Sequence, residues 1–165
     1  MSATTNARGN NAHDDQEPFI DYEDGKVITC ESEEDYYEII RLASSSVTND
    51  GTTATATHSS QDQSHDRLIV FDCYADWCPP CRQMSPIFAG MAKDYPHILF
   101  VKVNVDKHPE IGKLLGGIWA MPTFVFFRGD NKVGSFMGAN ERLLRRGLEN
   151  NGDVSMCSTV SCQIQ

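Results

Sequence analysis

The 165-residue chain has no apolar stretch long enough to cross a bilayer as a helix. Met1–Asn10 is polar and lacks the apolar centre of a secretory signal, so the expected setting is reducing, intracellular and cytoplasmic. Positive charge is scarce: Lys and Arg number 14 against 23 Asp and Glu, and the formal net charge is -9. A chain so acidic repels phosphate backbones, which argues against nucleic acid as a partner. There is no G-x-G-x-x-G run, so neither FAD nor NADPH is expected to bind. Cys78 and Cys81 form a C-x-x-C pair, but no second such pair and no paired histidines follow; His97 and His108 stand alone. A zinc site needs about four ligands, so no metal is expected.

What is present is enough apolar content for a core, 40% of residues, and a clear division of the chain. Residues 1–24 are polar and acidic and read as a flexible leader. Val27–Cys30 predicts a short strand. Ser32 then offers a helix N-cap, with Glu33, Glu34 and Asp35 suited to the positive end of a helix dipole, and Tyr36, Ile39, Ile40 and Ala43 recur at helical spacing. Residues 44–66 are rich in Ser, Thr, Asn, Gln and Asp, with almost nothing to bury, and predict a disordered insertion inside a domain spanning 25–150. Its hydroxyls are open to modification, although an inert surface loop is the simpler reading. Residues 151–165 form a polar tail.

From Arg67 the pattern tightens. Leu68–Phe71 and Ile98–Val101, the latter continuing to Val105, are unbroken apolar runs of the kind found in strands covered on both faces. A helix from Cys78 to Tyr95 lies between them, with Pro86 inside to kink it, so the strands should be parallel with a right-handed crossover. Lys107–Leu115 predicts a short helix ended by Gly116 and Gly117. Thr123–Phe127 and Lys132–Met137 predict a hairpin turning through Gly129 and Asp130. Asn140 caps a last helix with Leu143, Leu144 and Leu148 on its inner face. The order βαβαβαββα implies an α/β fold, a mixed sheet with helices on both faces.

The chemistry centres on Trp77-Cys78-Pro79-Pro80-Cys81. Two cysteines three apart close a small disulfide ring at a helix start. Cys78, near the N-cap, meets unpaired amides and the helix dipole, which favour the thiolate that attacks disulfides. Cys81, one turn in and more buried, is placed to attack the mixed disulfide. Pro79 and Pro80 donate no hydrogen bond, so main-chain support for the thiolate must come from the Cys81 N–H and beyond. The rival readings are a zinc site or two structural thiols. Asp72 interrupts an apolar strand, where a carboxylate without a partner should have a raised pKa; a solvated strand-edge Asp is the simpler alternative.

Phe71-Asp72-Cys73-Tyr74-Ala75-Asp76-Trp77-Cys78-Pro79-Pro80-Cys81 resembles the active-site segment of the thioredoxin family. Ala120-Met121-Pro122-Thr123-Phe124 resembles its cis-proline segment, and Lys102–Asp106, Gly138-Ala139-Asn140 and Pro86 also match its pattern. The resemblance covers Val27 to Asn150 apart from the insertion. It implies the thioredoxin fold and a thiol–disulfide oxidoreductase that reduces protein disulfides and contributes to redox homeostasis. Cys78 would be the nucleophile and Cys81 the resolving cysteine, joined in a redox-active disulfide. Asp72 would be the general acid/base toward Cys81, with Lys102 tuning it. Trp77, Pro79, Pro80, Met121 and Pro122 would contact substrate, Pro122 through a cis bond. Trp119 is either a packing residue or part of the partner surface. The implied partners are disulfide-containing client proteins and a thioredoxin reductase drawing on NADPH; no cofactor would be bound. Where most of the family has Gly, this chain has Pro79, as in some eukaryotic thioredoxins, which leaves its redox poise open. Cys73 should point away from Asp72, and Cys30 should be a small core or edge residue.

Cys162-Gln163-Ile164-Gln165 fits a C-a-a-X farnesylation pattern, and Cys157 upstream is a candidate for palmitoylation as a second anchor. Membrane contact would then be peripheral and through lipid alone. Two idle thiols or a regulatory Cys157–Cys162 disulfide are the other readings. The competing class for the whole chain is a thioredoxin-like binding or regulatory module of a larger assembly; an oxidase or isomerase of a secretory compartment is disfavoured by the polar N-terminus.

Overall fold

A computed structural model describes residues 23–44 and 66–152. The leader up to residue 22, residues 45–65 of the insertion and the tail from residue 153, including Cys157 and Cys162, lie outside the described residues.

The apolar run at Leu68 lengthens into β2, Leu68–Tyr74, the middle strand of a five-stranded sheet. Its neighbours are β3, Leu99–Asn104, which is parallel, and β4, Thr123–Arg128, which is antiparallel. The edges are β1, Val27–Cys30, parallel to β3, and β5, Asn131–Met137, antiparallel to β4. The strand order is therefore β1-β3-β2-β4-β5. β2 and β3 are joined through α2, Pro79–Asp94, because parallel strands need a crossover. α1, Glu33–Ser44, α3, Pro109–Leu114, and α4, Glu141–Gly152, complete the expected order.

Alternation along the central strands splits the core into two layers. Ile69, Phe71, Cys73, Val101, Val103 and Val125 face α1 and α3 with Ile39 and Ile111. Leu68, Val70, Phe100, Phe124 and Phe126 face α2 and α4 with Phe88, Met91, Leu144 and Leu148. Cys73 thus points to the face opposite that of Val70, and Cys30 is buried in the edge strand of the Cys73 layer.

Local chemistry sets the boundaries. Asp35 N–H donates to Ser32 Oγ at 3.0 Å while Ser32 N–H donates back to Asp35 Oδ2 at 3.1 Å, a reciprocal cap at the start of α1. At the end of α3, Gly116 at φ 99° and Gly117 at φ 81° let their amides reach Lys113 O and Gly112 O, satisfying carbonyls that the helix leaves open. α2 runs through Pro86 as one helix.

One core assignment fails. Leu143 is 41% exposed, while Leu144 and Leu148, four apart, lie inside. A helix turns about 100° per residue, so the inner stripe through 144 and 148 leaves 143 to one side. The adjacent inner place is taken by Gly147, whose missing side chain makes room for Phe126: a Cβ there would stand 2.4 Å from the ring.

Candidate active site

β2 ends at Tyr74, and the chain turns so that Cys78 N–H donates to Ala75 O at 3.1 Å. Cys78 is the N-cap of α2, with extended dihedrals (φ -86°, ψ 104°), and Pro79 and Pro80 fill the first two helical places. The third brings Cys81, whose N–H donates to Cys78 Sγ at 3.3 Å. The two cysteines are joined in a disulfide with Cα atoms 5.3 Å apart.

The expected difference in burial between the two sulfurs is absent. Cys78 is 2% exposed and Cys81 3%. The reason is the cover above them: Ala75 is buried beside the pair, and Tyr74 and Met121 pack against it. Met121 precedes Pro122 through a cis peptide bond. Pro122 is buried. The loop is tied on both sides, by Thr123 Oγ1 donating to Ala120 O at 2.8 Å and by Gly138 N–H donating to Pro122 O at 2.8 Å. Trp77, by contrast, is 63% exposed, and Pro79 is exposed next to it.

Asp72 sits on the α2 face of β2, 1% exposed, between Lys102 of β3 and Phe124 of β4 at the same level. Neither carboxyl oxygen has a hydrogen-bond partner. Burial pushes its pKa up to about 6, and the nearby Lys102 charge pulls it partly back. Lys102 does not bond Asp72; its ammonium donates to Ser85 Oγ of α2 at 2.9 Å and lies 4.5 Å from the centre of the Tyr74 ring. Lys102 therefore acts on Asp72 through space. Ser85 is one turn beyond Cys81, so β2, β3 and α2 converge beneath the disulfide.

A second set of residues lies beside the pair, and the sequence motifs contain it without marking it. Trp77 Nε1–H donates to Asp106 Oδ2 at 3.3 Å. Asn104, 5% exposed, donates through Nδ2 to Asp76 Oδ1 at 3.1 Å and accepts at Oδ1 from the amides of Asp106 and Lys107, each at 3.2 Å. Lys107 Nζ closes the set at 2.8 Å from Asp76 Oδ2. Asn104 is thus the buried bracket between the β2–α2 turn and the β3–α3 turn. The only sequence cue was a polar side chain ending an apolar strand.

The remaining thiols have other surroundings. Burial pushes the Cys30 thiol up to about 12, with the Asp35 charge adding to it, and burial then the Asp72 charge push Cys73 up as well. Buried, protonated thiols are poor nucleophiles. Trp119 is 80% exposed, so it is not a packing residue. Among the described residues, no three His, Cys, Asp or Glu side chains cluster to hold a metal. Among them, too, no helix is long and apolar enough to cross a membrane.

Known proteins resemble this arrangement. The family model Thioredoxin matches residues 51–150. Thioredoxin H5 of Arabidopsis thaliana is 33% identical over 129 residues, covering 75% of this chain and 92% of that protein. Thioredoxin-like protein 1 of Schizosaccharomyces pombe is 46% identical over 79 residues, 47% of this chain but 27% of its own length. The X-ray structure of Fasciola hepatica thioredoxin superposes with a TM-score of 0.57 at 33% identity, covering 74% of this chain and 96% of that one.

Proposed function

The chain belongs to the thioredoxin family of thiol–disulfide oxidoreductases, and we propose that within that class it is a protein-disulfide reductase of the cytoplasm. The observation that carries this reading is the Cys81 amide aimed at Cys78 Sγ at the positive end of α2. That donor and the helix dipole favour the charged over the neutral form of the sulfur once the disulfide is reduced.

The reaction balances as two exchanges. The Cys78 thiolate attacks one sulfur of a client disulfide; a Cys78–client bond forms and the other client sulfur leaves as a thiolate. Cys81 then attacks Cys78 Sγ, the mixed disulfide breaks, and the client's second thiolate leaves. Two electrons have passed to the client, and Cys78–Cys81 is oxidised. Cys81 must lose a proton to attack. Asp72, buried under α2 with both oxygens unpartnered, is the group to take it, and Lys102 sets how readily. Trp77, Pro79, Pro80 and Met121 form the surface on which the client segment lies, and the buried Pro122 shapes the loop beside it. A thioredoxin reductase using NADPH would restore the dithiol. If Cys162 is farnesylated and Cys157 palmitoylated in the native cell, intact mass shows the added lipid and loss of the last three residues; an unmodified mass removes the membrane reading.

The test is insulin reduction coupled to a thioredoxin reductase. Turnover should vanish in Cys78→Ser. In Cys81→Ser, mixed disulfides with clients should accumulate on Cys78. Equal turnover in Cys78→Ser and the parent chain would overturn the reading.

A further inference from the structure

Trp119 has the most exposed large apolar side chain among the described residues, at 80%. Trp77, in contrast, is tied to Asp106. A free, rigid aromatic face on a surface is the usual anchor of a protein contact, because it covers much area with few torsions to order. Its location is specific. Trp119 stands two residues before Met121, which packs against the Cys78–Cys81 pair, and two residues of chain span at most about 7 Å. Trp77 borders the same pair from the β2–α2 turn.

The ends of β2, β3 and β5 and the start of β4 lie at one end of the sheet. The turns and helix starts there carry Asp76, Asp106, Glu110 and Glu141 against Arg82, Lys107 and Arg142, and the β1–α1 turn at the same end adds Glu31, Glu33, Glu34 and Asp35. That end of the sheet is therefore negative, with Lys107 and Asp76 offsetting each other. An open indole at the negative end of the sheet selects a cation: the ring face attracts it by its quadrupole and the carboxylates by charge.

We propose that Trp119 is a specificity-determining residue, whose indole stacks on an arginine or lysine side chain flanking the client's reactive cysteine. The proposal rests on reading the site as a protein-disulfide reductase.

The test uses the full chain and three disulfide-cyclised peptides that differ only in the residues flanking one cysteine, which are Arg, Gln or Asp. The parent chain should reduce them in the order Arg, Gln, Asp, with kcat/KM for Arg about fivefold above Gln at low salt. In Trp119→Ala, the Arg-to-Gln ratio should fall toward one, and the change should lie in KM. Trp119→Phe should keep part of the preference. An Arg-to-Gln ratio equal in Trp119→Ala and the parent chain would overturn the proposal while leaving the reductase reading intact. Turnover that survives in Cys78→Ser would overturn both.

Discussion

The amide of Cys81 donates to the sulfur of Cys78 across 3.3 Å, and it is the first amide of α2 able to do so. An N-cap normally accepts from the second or third helical amide. Here the second is Pro80, so one donor is missing and the third carries the contact alone. Pro80→Ala should restore a donor toward the reduced sulfur. A hydrogen bond to a charged group is worth about 1.5–3 kcal/mol, which corresponds to a fall of roughly one unit or more in the Cys78 thiol pKa. The rate of iodoacetamide alkylation against pH, in the reduced protein, checks it.

Asp72 couples stability to pH. Folded, it keeps its proton to about pH 6; unfolded, it releases it near 3.8. Between these values the folded state binds more protons, so this group makes stability fall as pH rises, with the full cost present above pH 6. Asp72→Asn removes that cost. Its effect on unfolding free energy should shift in the stabilising direction by up to about 3 kcal/mol between pH 4 and pH 7.5. Urea unfolding at both values measures it. The same variant should slow client reduction by on the order of ten- to a hundredfold at neutral pH. It should also flatten the loss of rate that the parent chain shows below about pH 6.

Gly147 makes a sharper packing prediction because helix propensity points the other way. Alanine inside a helix gains about 1 kcal/mol over glycine. At Gly147, however, a Cβ would meet Phe126 Cζ at 2.4 Å. Gly147→Ala should therefore destabilise by about 1–2 kcal/mol, since overpacking outweighs propensity. Gly90 of α2 has nothing within 4 Å of such a Cβ, and Gly90→Ala should stabilise by about 0.5–1 kcal/mol. Urea midpoints of the two variants should move in opposite directions.

These residues also show how far the sequence could be read. β1 was visible as Val27–Cys30 because it is a short, β-prone apolar run, with Ile28 and Cys30 turned to the α1-facing core and Val27 to the other layer, and α1 because Ser32 and Asp35 cap it locally. Cys78, Cys81, Asp72 and Pro122 were found because their signals lie within short motifs. Leu143 was misplaced because three leucines in six residues do not reveal which of them the helix turns inward; that depended on Phe126, on another strand. The equal burial of the two sulfurs depends on Met121, forty residues away in sequence. The Asn104 bracket joins two turns and has no local signature. What stayed hidden is what only tertiary contact creates.

Disulfide exchange by this protein depends most on the ionisation of one sulfur. In the reduced full-length protein, alkylation of each described cysteine can be followed by mass spectrometry from pH 4 to pH 10. Cys78 should react with a midpoint clearly below the free-thiol value of about 8.5, while Cys30 and Cys73 stay unreactive across the range. A Cys78 midpoint at or above that value would contradict the account, because the helix start would then give the sulfur no advantage.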